Sequence, residues 1–110
     1  MFNLFKTKPD TYQNIQADKF RELQTGKDVV VLDVRTAQER ADENIPGSIH
    51  VDLFNPKFEA ELDRLDPSKT YLVYCRSGNR SAKACRMMGD KGFTRLYNLS
   101  GGIGAWMRAR

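Results

Sequence analysis

Two cysteines, Cys75 and Cys85, and a single histidine, His50, are all the chain has of the side chains that most often build disulfide frameworks and metal centres. Two thiols are too few to staple a small secreted fold. No apolar run approaches the ~20 residues a membrane-spanning helix needs, which argues against a membrane-embedded protein. The beginning, Met1-Phe2-Asn3-Leu4-Phe5-Lys6, turns polar at once and lacks the apolar stretch of a secretory signal, so a cytoplasmic location is expected. There is no internal repeat and no low-complexity linker. Net charge is +4, but the lysines and arginines are interleaved with acids instead of gathered on one stretch, which argues against a nucleic-acid partner.

What is present is one ordinary globular domain. A length of 110 residues with 40% hydrophobic and 29% charged residues supports one core and one layer stack. Residues 1–12 show no periodicity and read as a flexible N-terminal segment, leaving 13–110 as the domain. Asp18-Lys19-Phe20-Arg21-Glu22-Leu23 has helical spacing, with Gly26 placed as its stop. Val29-Val30-Val31-Leu32-Asp33-Val34 is β-branched and continuously apolar, the pattern of a strand covered on both faces. Thr36-Ala37-Gln38-Glu39 fits a capping box, so a helix starts where that strand ends.

The alternation continues. Ile45-Pro46-Gly47-Ser48 is a turn before the short strand Ile49-His50-Val51. Helical spacing follows at Phe58, Leu62 and Leu65, closed by Asp66-Pro67. Tyr71-Leu72-Val73-Tyr74 is a second buried strand, and a polar loop from Cys75 to Arg80 leads into a helix beginning near Ser81. Arg95-Leu96-Tyr97-Asn98 reads as the last strand, and Gly101-Gly102 opens a terminal helix. Strands alternating with helices predict an α/β fold: a mostly parallel central sheet of about five strands, flanked by helices on both faces. Ligands of such sheets gather at the carboxyl ends of the strands, where Asp33, Arg35 and the Cys75 loop lie.

Cys75 carries the chemistry in this reading. A thiol attacks as the thiolate, and its pKa falls at a helix N-terminus or beside guanidinium groups. The segment Cys75-Arg76-Ser77-Gly78-Asn79-Arg80-Ser81 offers both: backbone amides ahead of a helix, and Arg76 and Arg80 on either side. Gly78 permits the positive φ of a tight cradle. The expectation is an anion-binding bowl with an accessible sulfur at its base. Only four residues separate Cys75 from Arg80. Phosphatases of the cysteine class use a loop one residue longer, so the smaller ring suits sulfur better than a phosphoryl group. Phosphatase or arsenate reductase chemistry is the alternative.

The remaining candidates have plainer readings. Cys85 falls on the helical stripe with Ser81 and Met88, so it reads as core, distant from Cys75. His50 beside a short strand reads as a packing or surface residue. Asp33 and Arg35 either touch the site from the neighbouring strand end or form an ion pair that fixes the loop; both readings stand. Trp106 with Phe93, Tyr97 and Leu99 reads as core, and Glu39 as a cap.

From about Ile15 to Trp106 the chain resembles the rhodanese family. Leu32-Asp33-Val34-Arg35 followed by Glu39, then Asn44-Ile45-Pro46-Gly47-Ser48-Ile49, the Cys75 loop, and Gly101-Gly102 ahead of Trp106 resemble that family's signature blocks in order. The resemblance implies a single rhodanese-like domain and no metal or organic cofactor. It implies a sulfurtransferase that passes a sulfane sulfur through a Cys75 persulfide, from a small anionic donor such as thiosulfate to cyanide or a thiol acceptor, a small thiol or a thioredoxin-like protein. Arg76, Ser77, Gly78, Asn79, Arg80 and Ser81 would bind the donor. A non-catalytic binding module of the same fold, or a persulfide carrier feeding another enzyme, remains a further alternative.

Overall fold

A computed structural model describes residues 11–109. The expected flexible segment 1–12 lies, except for Thr11 and Tyr12, outside the described residues. The elements run β1 (Tyr12–Ile15), α1 (Ala17–Leu23), β2 (Val29–Asp33), α2 (Ala37–Asp42), β3 (Ile49–His50), α3 (Phe58–Leu62), β4 (Thr70–Tyr74), α4 (Asn79–Asp90), β5 (Leu96–Leu99) and α5 (Gly102–Arg108). All strand pairs are parallel, in the order β1-β5-β4-β2-β3. The single α/β domain with a five-stranded sheet is the architecture expected.

Alternation along the strands divides the core in two. Leu32, Tyr71, Val73 and Leu96 face one side, where they meet Phe58 and Leu62 of α3 and Ala84, Cys85 and Met88 of α4. Val31, Leu72, Tyr74 and Leu99 face the other, against Ala17 and Phe20 of α1 and Ile103 of α5. The inner strands β2 and β4 are thus covered on both faces, which is why Val29 to Leu32 and Tyr71 to Val73 run continuously apolar. The buried positions of α4, Ser81, Ala84, Cys85 and Met88, recur at helical spacing and make one face. A large side chain removed from either layer, as in Leu32→Ala, costs ~2–5 kcal/mol.

Some boundaries differ from the sequence reading. No sequence signal marks β1: its residues are polar, and it adds to the sheet edge by pairing Tyr12 to Ile15 with Leu96 to Leu99. Helix α1 ends at Leu23 rather than at Gly26, and the left-handed residue in the following turn is Asp28, with φ 59°. Helix α3 stops at Leu62, three residues short of Leu65. Helix α4 begins at Asn79, two residues before Ser81, because Gly78 at φ 108° already turns the chain into it.

The aromatic grouping is also different. Phe93 stacks edge-on with Tyr71 at 5.2 Å in the layer with α4, whereas Leu99 belongs to the opposite layer. Trp106 is only partly buried, with the Arg21 guanidinium 3.6 Å over its ring and its Nε1 donating to Gln24 Oε1. It latches α5 to α1 and does not sit in a shared core with Phe93.

Candidate active site

Strand β4 lies in the middle of the sheet, between β5 and β2, and delivers Cys75 from its carboxyl end. The loop after it is braced from below by α5: the Ile103 N–H donates to the Cys75 carbonyl at 3.0 Å. Gly102, at φ 65°, leaves no room for a side chain, since a Cβ would overlap the Arg76 carbonyl. The Gly101-Gly102 pair is therefore a floor for the loop.

Within the loop the sulfur stands where an N-cap side chain would. Gly78 is the N-cap of α4 and has no side chain to offer. The Gly78 N–H donates to Cys75 Sγ at 3.1 Å and the Ser81 N–H at 3.4 Å, while Ser81 Oγ lies 3.2 Å from it. These are orphan donors of the first helical turn, aimed at a group that can carry negative charge. Burial pushes the Cys75 thiol up, but its contacts with the Ser81 hydroxyl and with the N–H groups of Ser81, Gly78 and Ser77 outweigh it and bring the pKa below the ordinary value.

The sulfur is not open to solvent as expected. Cys75 is 0% exposed, because the loop's amides turn inward to hold it while Arg76, Ser77 and Asn79 take the exposed positions. Polar neighbours along the chain marked an exposed loop, not an exposed thiol.

The two arginines also part ways. Arg80 does not stand free beside the sulfur: its Nη1 and Nη2 donate to both carboxylate oxygens of Glu39, at 2.7 and 2.8 Å. Glu39 thus has a second role. It completes the expected capping box with Thr36, and its bond to Arg80, helped by Thr36, pulls its pKa down to about 2 against some burial. Arg76 is exposed and lines a cavity of about 290 Å³ with Arg35, Glu39, Asp42, Glu43 and Ile103.

Asp33 and Arg35 take the ion-pair reading. Arg35 Nε and Nη2 donate to Asp33 Oδ1 and Oδ2, each at 2.9 Å, with both side chains almost fully buried. Asp33 Oδ2 also accepts from the Tyr74 hydroxyl and Arg40 Nη1, and Arg35 Nη2 donates to the Glu43 carbonyl at 2.6 Å. Burial raises the Asp33 pKa, yet the bonds from Arg35 and Tyr74 hold it below the usual carboxylate range. Arg40 and Tyr74 further tie down the turn at Ile45 and Ser48. The segments around Asp33 and Ile45 thus form one scaffold under the mouth of the site, although Arg35 itself reaches the cavity wall.

His50 takes its expected minor place, its Nε2 sharing a 2.6 Å hydrogen bond with the Arg35 carbonyl. Cys85 is buried, and its pKa is pushed up to about 12, first by burial and further by the charge on Cys75. The two cysteines belong to one apolar cluster, Cys85 lying one helical turn beyond Ser81. Two contributors had no sequence signal: Asn98 on β5, whose Oδ1 is 2.5 Å from Ser81 Oγ, and the Glu39–Arg80 pair. Among the described residues, no group of three or more His, Cys, Asp or Glu is arranged to hold a metal, and no helix is long and apolar enough to cross a membrane.

The sequence and the fold have counterparts in known proteins. A sequence profile of the rhodanese-like domain matches residues 16–109. A sulfurtransferase of Allochromatium vinosum is 34% identical over 82 residues, 74% of this chain and 75% of that protein. The thiosulfate sulfurtransferase GlpE of Coxiella burnetii is 30% identical over 95 residues, 86% of this chain and 87% of its own length. A crystal structure of a rhodanese-related protein from Thermoplasma volcanium superposes with a TM-score of 0.78 at 30% identity, covering 88% of this chain and 92% of that one. With a profile spanning nearly the whole described domain, and relatives alike in length, sequence and backbone, the chain belongs to the rhodanese-like domain family.

Proposed function

We propose that this protein is a sulfurtransferase that takes the sulfane sulfur of thiosulfate onto Cys75 and passes it to a thiol. The reading rests on one observation above the others: Cys75 Sγ lies where the Gly78 and Ser81 amides of the first turn of α4 converge. That arrangement favours a thiolate and, after transfer, offers donors to a persulfide sulfur carrying negative charge.

The Cys75 thiolate attacks the outer sulfur of thiosulfate. A new S–S bond forms at Cys75, the sulfur–sulfur bond of the donor breaks, and sulfite leaves with the electron pair. Exposed Arg76, at the cavity wall, meets the sulfonate oxygens first. Arg80 joins by exchanging Glu39 for the donor. In the second half, an acceptor thiolate attacks the terminal sulfur of the Cys75 persulfide and regenerates the Cys75 thiolate. Splitting transfer in two gives ping-pong kinetics.

Intact mass after thiosulfate treatment tests this. The wild type gains one sulfur atom, cyanide removes it as thiocyanate, and Cys75→Ser gains none. Absence of any gain in the wild type overturns the proposal. Turnover of p-nitrophenyl phosphate or arsenate, with no sulfur gain, would assign the loop to phosphoryl or arsenate chemistry instead.

A further inference from the structure

Ser81 has one hydroxyl proton and two claimants for it. Its Oγ is 3.2 Å from Cys75 Sγ and 2.5 Å from Asn98 Oδ1. The Asn98 amide cannot turn over to resolve the competition. Its Nδ2 donates to the Gly78 carbonyl at 3.0 Å and to Asn14 Oδ1 at 2.9 Å, and a flipped amide would set an oxygen against the Gly78 carbonyl with no proton between. Asn98 must therefore present an acceptor to Ser81. Two oxygens at 2.5 Å require a proton between them, and only the Ser81 hydroxyl supplies it.

We propose that Asn98 is a positioning residue that competes with Cys75 for the single Ser81 proton, so that the sulfur receives only part of the hydrogen bond the hydroxyl could give it. On ionisation the thiol proton leaves to solvent and the Ser81 hydroxyl must swing to the sulfur, which sets two lone pairs facing each other across the Ser81–Asn98 contact. The thiolate then leans on the amides of Gly78, Ser81 and Ser77, and Asn98 opposes the hydroxyl's share. Asn98 sits on β5 in register with Asn14 and Val73, so the strand pairing that builds the sheet also sets the brake.

The other groups around the sulfur are charges held constant in the test. Arg80 and Cys85 on α4 are electrostatically coupled to Cys75. Arg76 stands in the loop itself, Glu39 on α2 acts through Arg80, and Asp33 at the end of β2 is paired with Arg35 and Arg40. From β5 the sulfur's neighbourhood receives only neutral Asn98, and α5 gives the Ile103 N–H to the Cys75 carbonyl.

The inference rests on Cys75 as the nucleophile, but its test titrates the thiol and does not require sulfur transfer, so the two can fail separately. The rate of iodoacetamide alkylation of Cys75 is measured against pH, with peptide mass separating it from Cys85 and thermal melting confirming a folded protein at each pH. Ser81→Ala in the wild type raises the midpoint, because the thiolate loses the share of the hydroxyl that Asn98 leaves it. Asn98→Leu lowers it by about one pH unit, because the freed hydroxyl now donates fully to the thiolate. Adding Ser81→Ala to Asn98→Leu raises it to the value of Ser81→Ala alone, so the serine change counts for more without Asn98 than with it, a coupling that a merely structural role of Asn98 does not produce. No change or a rise in folded Asn98→Leu, or equal effects of Ser81→Ala with and without Asn98→Leu, overturns the proposal; should Asn98→Leu not fold, Asn98→Ala takes its place in the same comparison.

Discussion

Glu39 and Arg80, 41 positions apart, meet in a two-pronged ion pair beside the mouth of the cysteine loop. The pair joins the helix after β2 to the helix after β4, the two segments the sheet brings side by side. It also takes out of circulation one of the two positive charges that the loop offers an anion.

Glu39→Gln should weaken the fold and improve donor binding. The loss is about 1 kcal/mol at neutral pH, as for a well-formed but partly exposed pair. The folded-state pKa of Glu39 is depressed from 4.5 to about 2, so its contribution is fully present above 4.5 and lost as pH falls through about 2. Melting temperatures of wild type and variant should differ at pH 7, converge between pH 4.5 and 2, and coincide below. The thiosulfate KM of the variant should fall, because Arg80 no longer has to leave a partner.

Arg76→Ala should lower kcat/KM for thiosulfate about tenfold or more while leaving the melting temperature nearly unchanged, since Arg76 is exposed. Equal kcat/KM in steady-state assays would remove Arg76 from donor binding.

Asp33→Asn should be a folding defect rather than a chemical one. It leaves the buried Arg35 guanidinium without its counter-charge and removes an acceptor of Tyr74 and Arg40. Unfolding in denaturant should show a loss of ~3–5 kcal/mol. A loss below 1 kcal/mol would mean that the Glu43 carbonyl and solvent hold Arg35 adequately.

How much of this was readable in the sequence follows the range of each interaction. The Cys75 loop was legible because amides, glycine and helix lie within seven consecutive residues. The Thr36–Glu39 box was legible for the same reason. The Glu39–Arg80 bond was not, since nothing local tells a capping glutamate from one that also crosses to another helix. Asn98 looked like an ordinary strand residue until β5 was placed beside β4. β1 was invisible because an edge strand of polar residues has no burial pattern to betray it. The covered sulfur was misread because exposure was inferred from neighbours in the chain, whereas the loop folds its backbone around the sulfur and sends its side chains out.

Gly102→Ala should disable the loop without touching it. The added methyl would overlap the Arg76 carbonyl and lie 2.7 Å from that of Cys75, at a φ of 65° that alanine disfavours. Strain and overlap together predict a loss of at least about 2 kcal/mol, with sulfur loading impaired even in the folded fraction. A variant that melts and loads like the wild type would show that α5 can retreat from the loop.

The central place of β4 has a consequence for motion. Its amides are shielded by a neighbour on each side and by a helical layer above and below, so they can exchange with deuterium only when the whole domain opens. The nucleophile is thus tethered to the central strand of the sheet, while Arg76 rides on an exposed side chain that can reorient in nanoseconds and Arg80 moves only by leaving Glu39. For the proposed sulfur transfer this places the mobile groups at the rim, in side-chain rotamers, and the fixed one in the backbone beneath the sulfur.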